Sequence, residues 1–126
     1  VRSGLWGHGG SDAPPGARTL AGFVQQLLAV IDGLGVERCD VAGLSIGGLI
    51  VQALGVDHPE LCGRLAIMNA VYRRTPQQLA SIAGRLDGVV ASGMESMVQP
   101  ALDRWFTPDW RARHLARVDA IAERLR

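Results

Sequence analysis

The chain has 126 residues, room for one small domain and not for two. Its content of 48% hydrophobic and 20% charged residues excludes a disordered tail, and a net charge of +1 supplies no field to draw nucleic acid or an anionic membrane. No apolar run approaches the ~20 residues of a membrane span, and the start carries no basic-then-apolar signal segment; the cysteine usage leads to an expected setting in a reducing cytoplasm. Cys39 and Cys62 lack Cys-x-x-Cys or Cys/His metal spacing and read as two buried thiols in a reducing compartment. The first residue is Val1, which points to a chain that starts inside something longer.

Taken in order, residues Val1 to Trp6 have little pattern beyond the frayed end of a strand. The run Gly7-His8-Gly9-Gly10-Ser11-Asp12, followed by Ala13-Pro14-Pro15-Gly16, is a loop that can continue neither regular structure. His8 reads as a histidine whose ring bonds within that loop. Thr19 can cap a helix whose apolar face is Leu20, Phe23, Val24, Leu27, Leu28, Ile31 and Leu34, with Gln25, Gln26 and Asp32 facing away. Gly33 and Gly35 end it, the second suited to a left-handed position. After Val36-Glu37-Arg38 comes a short apolar strand from Cys39 to Ala42, then a glycine-flanked serine, then a helix that carries Leu49, Ile50, Ala53 and Leu54 inward and stops at His58-Pro59. His58 is then a C-terminal residue favoured by the helix dipole. Arg64 to Ala70 reads as a second strand, apolar on both faces, which predicts a parallel sheet covered by helices on both sides.

After Tyr72 the pattern turns helical. Thr75-Pro76 caps and opens a helix to about Asp87, with Gly88 and Gly93 as breakers. A further helix, kinked or restarted by Pro100, leads to Leu102, Trp105 and Phe106. Thr107-Pro108 opens the last helix, with Leu115, Val118, Ile121 and Leu125 on one face and arginines on the solvated other. An all-helical block behind a βαβ unit suggests a cap laid over a site.

The stretch that carries chemistry is Gly43-Leu44-Ser45-Ile46-Gly47-Gly48. Strand, Gly-x-Ser-x-Gly and helix in that order are the context of a nucleophile elbow, in which a sharp strained turn lifts the serine hydroxyl clear of the sheet. Gly43 and Gly47 are read as positions where a side chain would collide across the turn. The amide of Ile46 lies at a helix N-terminus and can stabilise a developing oxyanion. The alternative is a glycine-rich strand-to-helix turn with an ordinary serine.

Together, the Gly7–Asp12 loop, the Gly43–Gly48 motif and His58-Pro59-Glu60 resemble the α/β-hydrolase superfamily. Within it, Ala13 to Arg74 and Arg104-Trp105-Phe106-Thr107-Pro108 look like 3-oxoadipate enol-lactonases. The resemblance implies an α/β architecture: an incomplete α/β-hydrolase core with its elbow over residues 1–72, and a helical cap over residues 73–126. It implies Ser45 as nucleophile, Ile46 as one oxyanion amide, and Gly43, Leu44, Gly47 and Gly48 as the elbow. Arg73, Arg74, Arg104 and Trp105 are candidate contacts for an anionic lactone. It also implies no metal and no organic cofactor, and a small-molecule ester or lactone substrate cleaved through an acyl-enzyme during breakdown of aromatic acids. Oligomeric state is left open.

The same resemblance places the triad acid and histidine on loops after later strands. Those strands, and the ones before the Gly-His-Gly loop, have no counterpart in the pattern, so the chain matches the middle of such an enzyme and is expected to have negligible activity by itself. His114 could follow Asp87, Asp103 or Asp109 in triad order but sits in a helical pattern inside the cap. A catalytically silent or binding-only piece is the competing reading. Within the fold, a carboxylesterase or a cofactor-free haloperoxidase-like protein shares the elbow, whereas a dehalogenase would carry Asp in place of Ser45.

Overall fold

The computed structural model describes all residues, Val1–Arg126, as two compact units, Val1–Tyr72 and Arg73–Arg126. In the first unit, α1 (Leu20–Gly33) starts where the Thr19 hydroxyl accepts the Gly22 N–H at 3.1 Å. It ends with Gly35 at φ 64°, the Gly35 N–H bonding the Asp32 carbonyl and the Val36 N–H bonding that of Ile31. That paired closure satisfies carbonyls a helix end otherwise leaves free. Leu20 and Leu34, counted on the apolar face, lie at the helix ends and stay exposed. Gln26, expected to face water, instead clamps the N-terminal segment: it accepts the Trp6 N–H at 3.2 Å and donates to the Gly4 carbonyl at 3.0 Å.

Two parallel strands follow, β1 (Cys39–Leu44) and β2 (Cys62–Met68), joined by α2 (Ile46–Asp57) and a short 3₁₀ turn, Pro59–Leu61. The helix α2 has three glycines, each worth about 1 kcal/mol against helix formation. Burial of Ile50, Val51 and Leu54, at about 1.5–3 kcal/mol apiece, outweighs that cost. The second strand begins earlier than its apolar run suggests and stops at Met68, because Asn69 adopts a left-handed φ of 47°.

The core of this unit joins Phe23, Val24 and Ile31 of α1 to Ile50 and Leu54 of α2 and to Cys62, with Cys39 and Val41 packed alongside. The strand residues in that cluster all come from one face of the sheet. Both helices therefore cover the same face, and the expectation of helices on both sides is not met. On the opposite face Ala42, Leu44, Ala66 and Met68 remain exposed, Leu44 to 61%.

That open face also carries an ion pair. The pairing Cys39↔Cys62, then Val41↔Leu65, sets Gly63 and Arg64 against the single residue Asp40, a bulge in β2. Asp40 closes the bulge by accepting the Arg64 N–H at 2.7 Å and the Arg64 guanidinium at 2.9 and 2.6 Å.

In the second unit, α3 (Pro76–Ser92) opens with a reciprocal cap between Thr75 and Gln78, at 3.2 and 2.9 Å. It runs through Gly88, expected to break it, since one helical glycine costs only about 1 kcal/mol. Gly93, at φ 72°, ends it. The next helix, α4 (Glu95–Trp105), continues through Pro100, which lies on its exposed side where water can reach the carbonyl that proline leaves unpaired. The expected single last helix is two, α5 (Pro108–Arg113) and α6 (Leu115–Leu125), divided at His114, whose φ of −134° is not helical. A small core forms from Val98, Leu102 and Ala122 with Phe106, Val118, Ile121 and Leu125 around it; Leu115, assigned to that face, is 66% exposed.

The Arg64 guanidinium, and then its N–H, hold the Asp40 carboxyl below its ordinary value of 3.8. A carboxyl lowered on folding adds stability above its unfolded pKa and loses it as pH falls through the folded one. Urea unfolding between about pH 5 and pH 2 should therefore show a shallower loss of stability in Asp40→Asn than in the native chain. An unchanged slope would remove the pair as a stabilising contact.

Candidate active site

Ser45 belongs to two ladders at once. Its N–H donates to the Met68 carbonyl at 3.0 Å, continuing the sheet, and its carbonyl accepts the Leu49 N–H at 3.2 Å, starting α2. One residue must then turn the chain from strand into helix between two fixed hydrogen bonds. It does so at φ 55° and ψ −116°, a conformation that costs an L-residue on the order of 1–3 kcal/mol. The strain leaves Ser45 exposed at the exit of β1.

The turn is tight because strand and helix backbones touch. A Cβ on Gly43 would fall inside the Gly47 carbonyl group, and one on Gly48 would come within 2.6 Å of the Ala70 Cβ. Gly47 itself faces open space, so its expected collision does not occur: its backbone is what Gly43 approaches. Within the turn, Gly43 and Gly48 are the positions at which the packing requires glycine, and both are buried.

Ile46 is the first residue of α2, where N–H groups have no intrahelical acceptor, so its amide points positive dipole toward the Ser45 side of the turn. A concavity of about 430 Å³ lies beside the turn, lined by Leu5, Phe23, Val41, Leu44, Ile46 and Ile50 among others; Ser45 is next to its wall and not in it.

Within the first unit, neither imidazole hydrogen-bonds Ser45. His8 is exposed in a loop tied by its own backbone, its N–H to the Leu5 carbonyl at 2.9 Å and its carbonyl to the Ser11 N–H at 3.2 Å; its ring makes none of the bonds expected within the loop. His58 caps the far end of α2, a helix length of ~18 Å away at 1.5 Å per residue, with Nδ1 3.5 Å from Glu60. In the second unit the His114 ring lies tilted against Trp110, with centroids 4.6 Å apart, and Trp110 stacks on Phe106 at 4.5 Å. Arg73, Arg74, Arg104 and Trp105 are exposed there.

Residues 5–116 match the model of the alpha/beta hydrolase fold family. The chain belongs to that family. Among curated relatives of this α/β-hydrolase chain is the (E)-2-((N-methylformamido)methylene)succinate hydrolase of Acinetobacter baylyi, 31% identical over 79% of the chain and 37% of the relative. The 3-oxoadipate enol-lactonase 2 of the same organism is 29% identical over 81% of the chain and 38% of the relative. A solved structure of a hydrolase from Pseudomonas aeruginosa PA01 superposes with a TM-score of 0.82 at 31% identity, covering 96% of this chain and 45% of that one. The chain thus spans less than half the length of these relatives, and its two-stranded sheet is an incomplete α/β-hydrolase core.

The geometry sets two contrasts. Gly43→Ala should cost at least about 3 kcal/mol, since backbone must move, whereas Gly47→Ala should be neutral or gain up to about 1 kcal/mol from helix propensity. Ser45→Gly relieves the left-handed strain at some unfolded-state entropy, so it should be about 1 kcal/mol more stable than Ser45→Ala. Denaturant midpoints measure both; Ser45→Ala as stable as Ser45→Gly would deny the strain.

Proposed function

We propose that this chain carries the nucleophile of a serine hydrolase acting on carboxylic esters or lactones, with Ser45 as the attacking residue. The observation that carries the reading is the strained φ of Ser45 between two fixed backbone bonds. Strain held this way at an exposed polar side chain is the signature of a functional turn.

In the reaction, the Ser45 Oγ attacks the acyl carbon and loses its proton to a base. The carbonyl oxygen becomes an oxyanion facing the Ile46 N–H and the positive end of α2. Collapse expels the alcohol, or opens the ring of a lactone, and leaves an acyl group on Ser45. Water then releases the acid. The similarity to the 3-oxoadipate enol-lactonase favours a lactone bearing a carboxylate, for which Arg73, Arg74, Arg104 and Trp105 are the proposed contacts. The substrate is a small molecule.

A second reading, a catalytically silent or binding-only chain, is favoured by one observation: neither imidazole of the first unit bonds Ser45. Losing a triad member typically costs on the order of 10⁴ to 10⁶ in rate, because its members act as a unit. Turnover by this chain by itself is therefore proposed to be negligible, and the test must not depend on turnover.

Incubation with excess p-nitrophenyl acetate, followed by peptide mass mapping, reads the nucleophile directly. Ser45 should be acetylated ahead of Ser3, Ser11, Ser81, Ser92 and Ser96, and the label should vanish in Ser45→Ala. Labelling of Ser45 no faster than the other serines would leave the silent reading standing.

A further inference from the structure

Cys39 and Cys62 are register partners at the first rung of the sheet. Both side chains face the helix-covered side, Cys62 within the core cluster and Cys39 packed against it. Adjacent strands run about 4.8 Å apart, inside the ~4.4–6.8 Å Cα window that a disulfide spans. Both residues open their strands, and the bulge opposite Asp40 lies immediately after them. The Cys62 Sγ is occupied only by a weak bond to the His58 carbonyl at 3.4 Å.

We propose that Cys39 and Cys62 form a reversible disulfide that staples β1 to β2 below the serine turn. The loop it closes contains β1, Ser45 and the whole of α2, the part of the first unit on which the candidate site is built. The two thiols differ in access. Cys39 is half-buried, whereas Cys62 is buried and its thiol is pushed up, first by burial and then by the neighbouring Cys39. Cys39 is thus the thiol that meets an oxidant, and Cys62 the one that resolves.

With a low-molecular-weight disulfide such as oxidised glutathione, the electrons balance in two exchanges. The Cys39 thiolate attacks one sulfur, forming a mixed disulfide and releasing one glutathione thiolate. Cys62 gives its proton to water, attacks the Cys39 sulfur and releases the second. The protein dithiol becomes a disulfide, and one oxidised glutathione becomes two reduced. Closure removes freedom from the unfolded chain and raises resistance to unfolding.

The folded chain, equilibrated with excess oxidised glutathione and mapped by mass spectrometry under non-reducing conditions, should yield one cross-linked Cys39–Cys62 peptide. Its melting temperature should rise, and dithiothreitol should reverse both. In the reduced native chain, Ellman's reagent should modify Cys39 on the order of ten-fold faster than Cys62. Cys62→Ser should stop at glutathione on Cys39; should that variant fail to fold, the native chain's map decides alone. Two free thiols after equilibration, stable mixed disulfides only, or cross-links between chains would each overturn the proposal.

Discussion

Two hydrogen bonds on one residue organise the first unit. The Ser45 N–H is committed to β2 and the Ser45 carbonyl to α2, so the chain changes direction across a single pair of torsions. Each bond lies in a ladder whose neighbours cooperate, and a hydrogen bond is worth a net of about 0.5–1.5 kcal/mol. The strain at Ser45 is of the same order, which is why the surrounding ladders can hold it. Gly43 and Gly48 then follow as necessities of packing, because bringing strand and helix together at that angle leaves no room for a Cβ at either.

The rest of the unit supports that turn from one side only. Both helices pack on the face that carries Cys39, Val41 and Cys62, and the core sits there. The other face shows Ala42, Leu44, Ala66 and Met68 to solvent, interrupted by the Asp40–Arg64 pair. A sheet of two strands with one bare apolar face buries little per residue, and small sheets of this kind are marginal. This fits a chain that spans less than half the length of its α/β-hydrolase relatives.

Much of this was legible in the residues, for local reasons. Thr19, Thr75 and Thr107 each precede a helix and each accepts an N–H of its first turn, and Gly35 and Gly93 each take positive φ where a helix stops. The serine turn was legible because its signal is local too: strand, glycine, serine, glycine, helix. What misled was glycine by identity alone. Gly88 stays helical and Gly47 faces open space, since whether glycine is needed depends on what lies opposite, which spacing does not reveal. The break at His114 carries neither glycine nor proline, and its ring packs tilted against Trp110, a contact that the spacing of Leu115, Val118, Ile121 and Leu125 does not reveal. The one-sided sheet was hidden for a similar reason. Strands apolar on both faces record which faces favour burial, not which elements cover them.

The serine turn rests on the backbone of one residue, and that backbone can be measured directly. One-bond Cα–Hα couplings in isotopically labelled protein distinguish left-handed from right-handed φ residue by residue. Ser45 should give the left-handed value between neighbours, Leu44 and Ile46, that do not. A value for Ser45 in the ordinary helical or extended range would contradict the strained turn and, with it, the assignment of Ser45 as a positioned nucleophile.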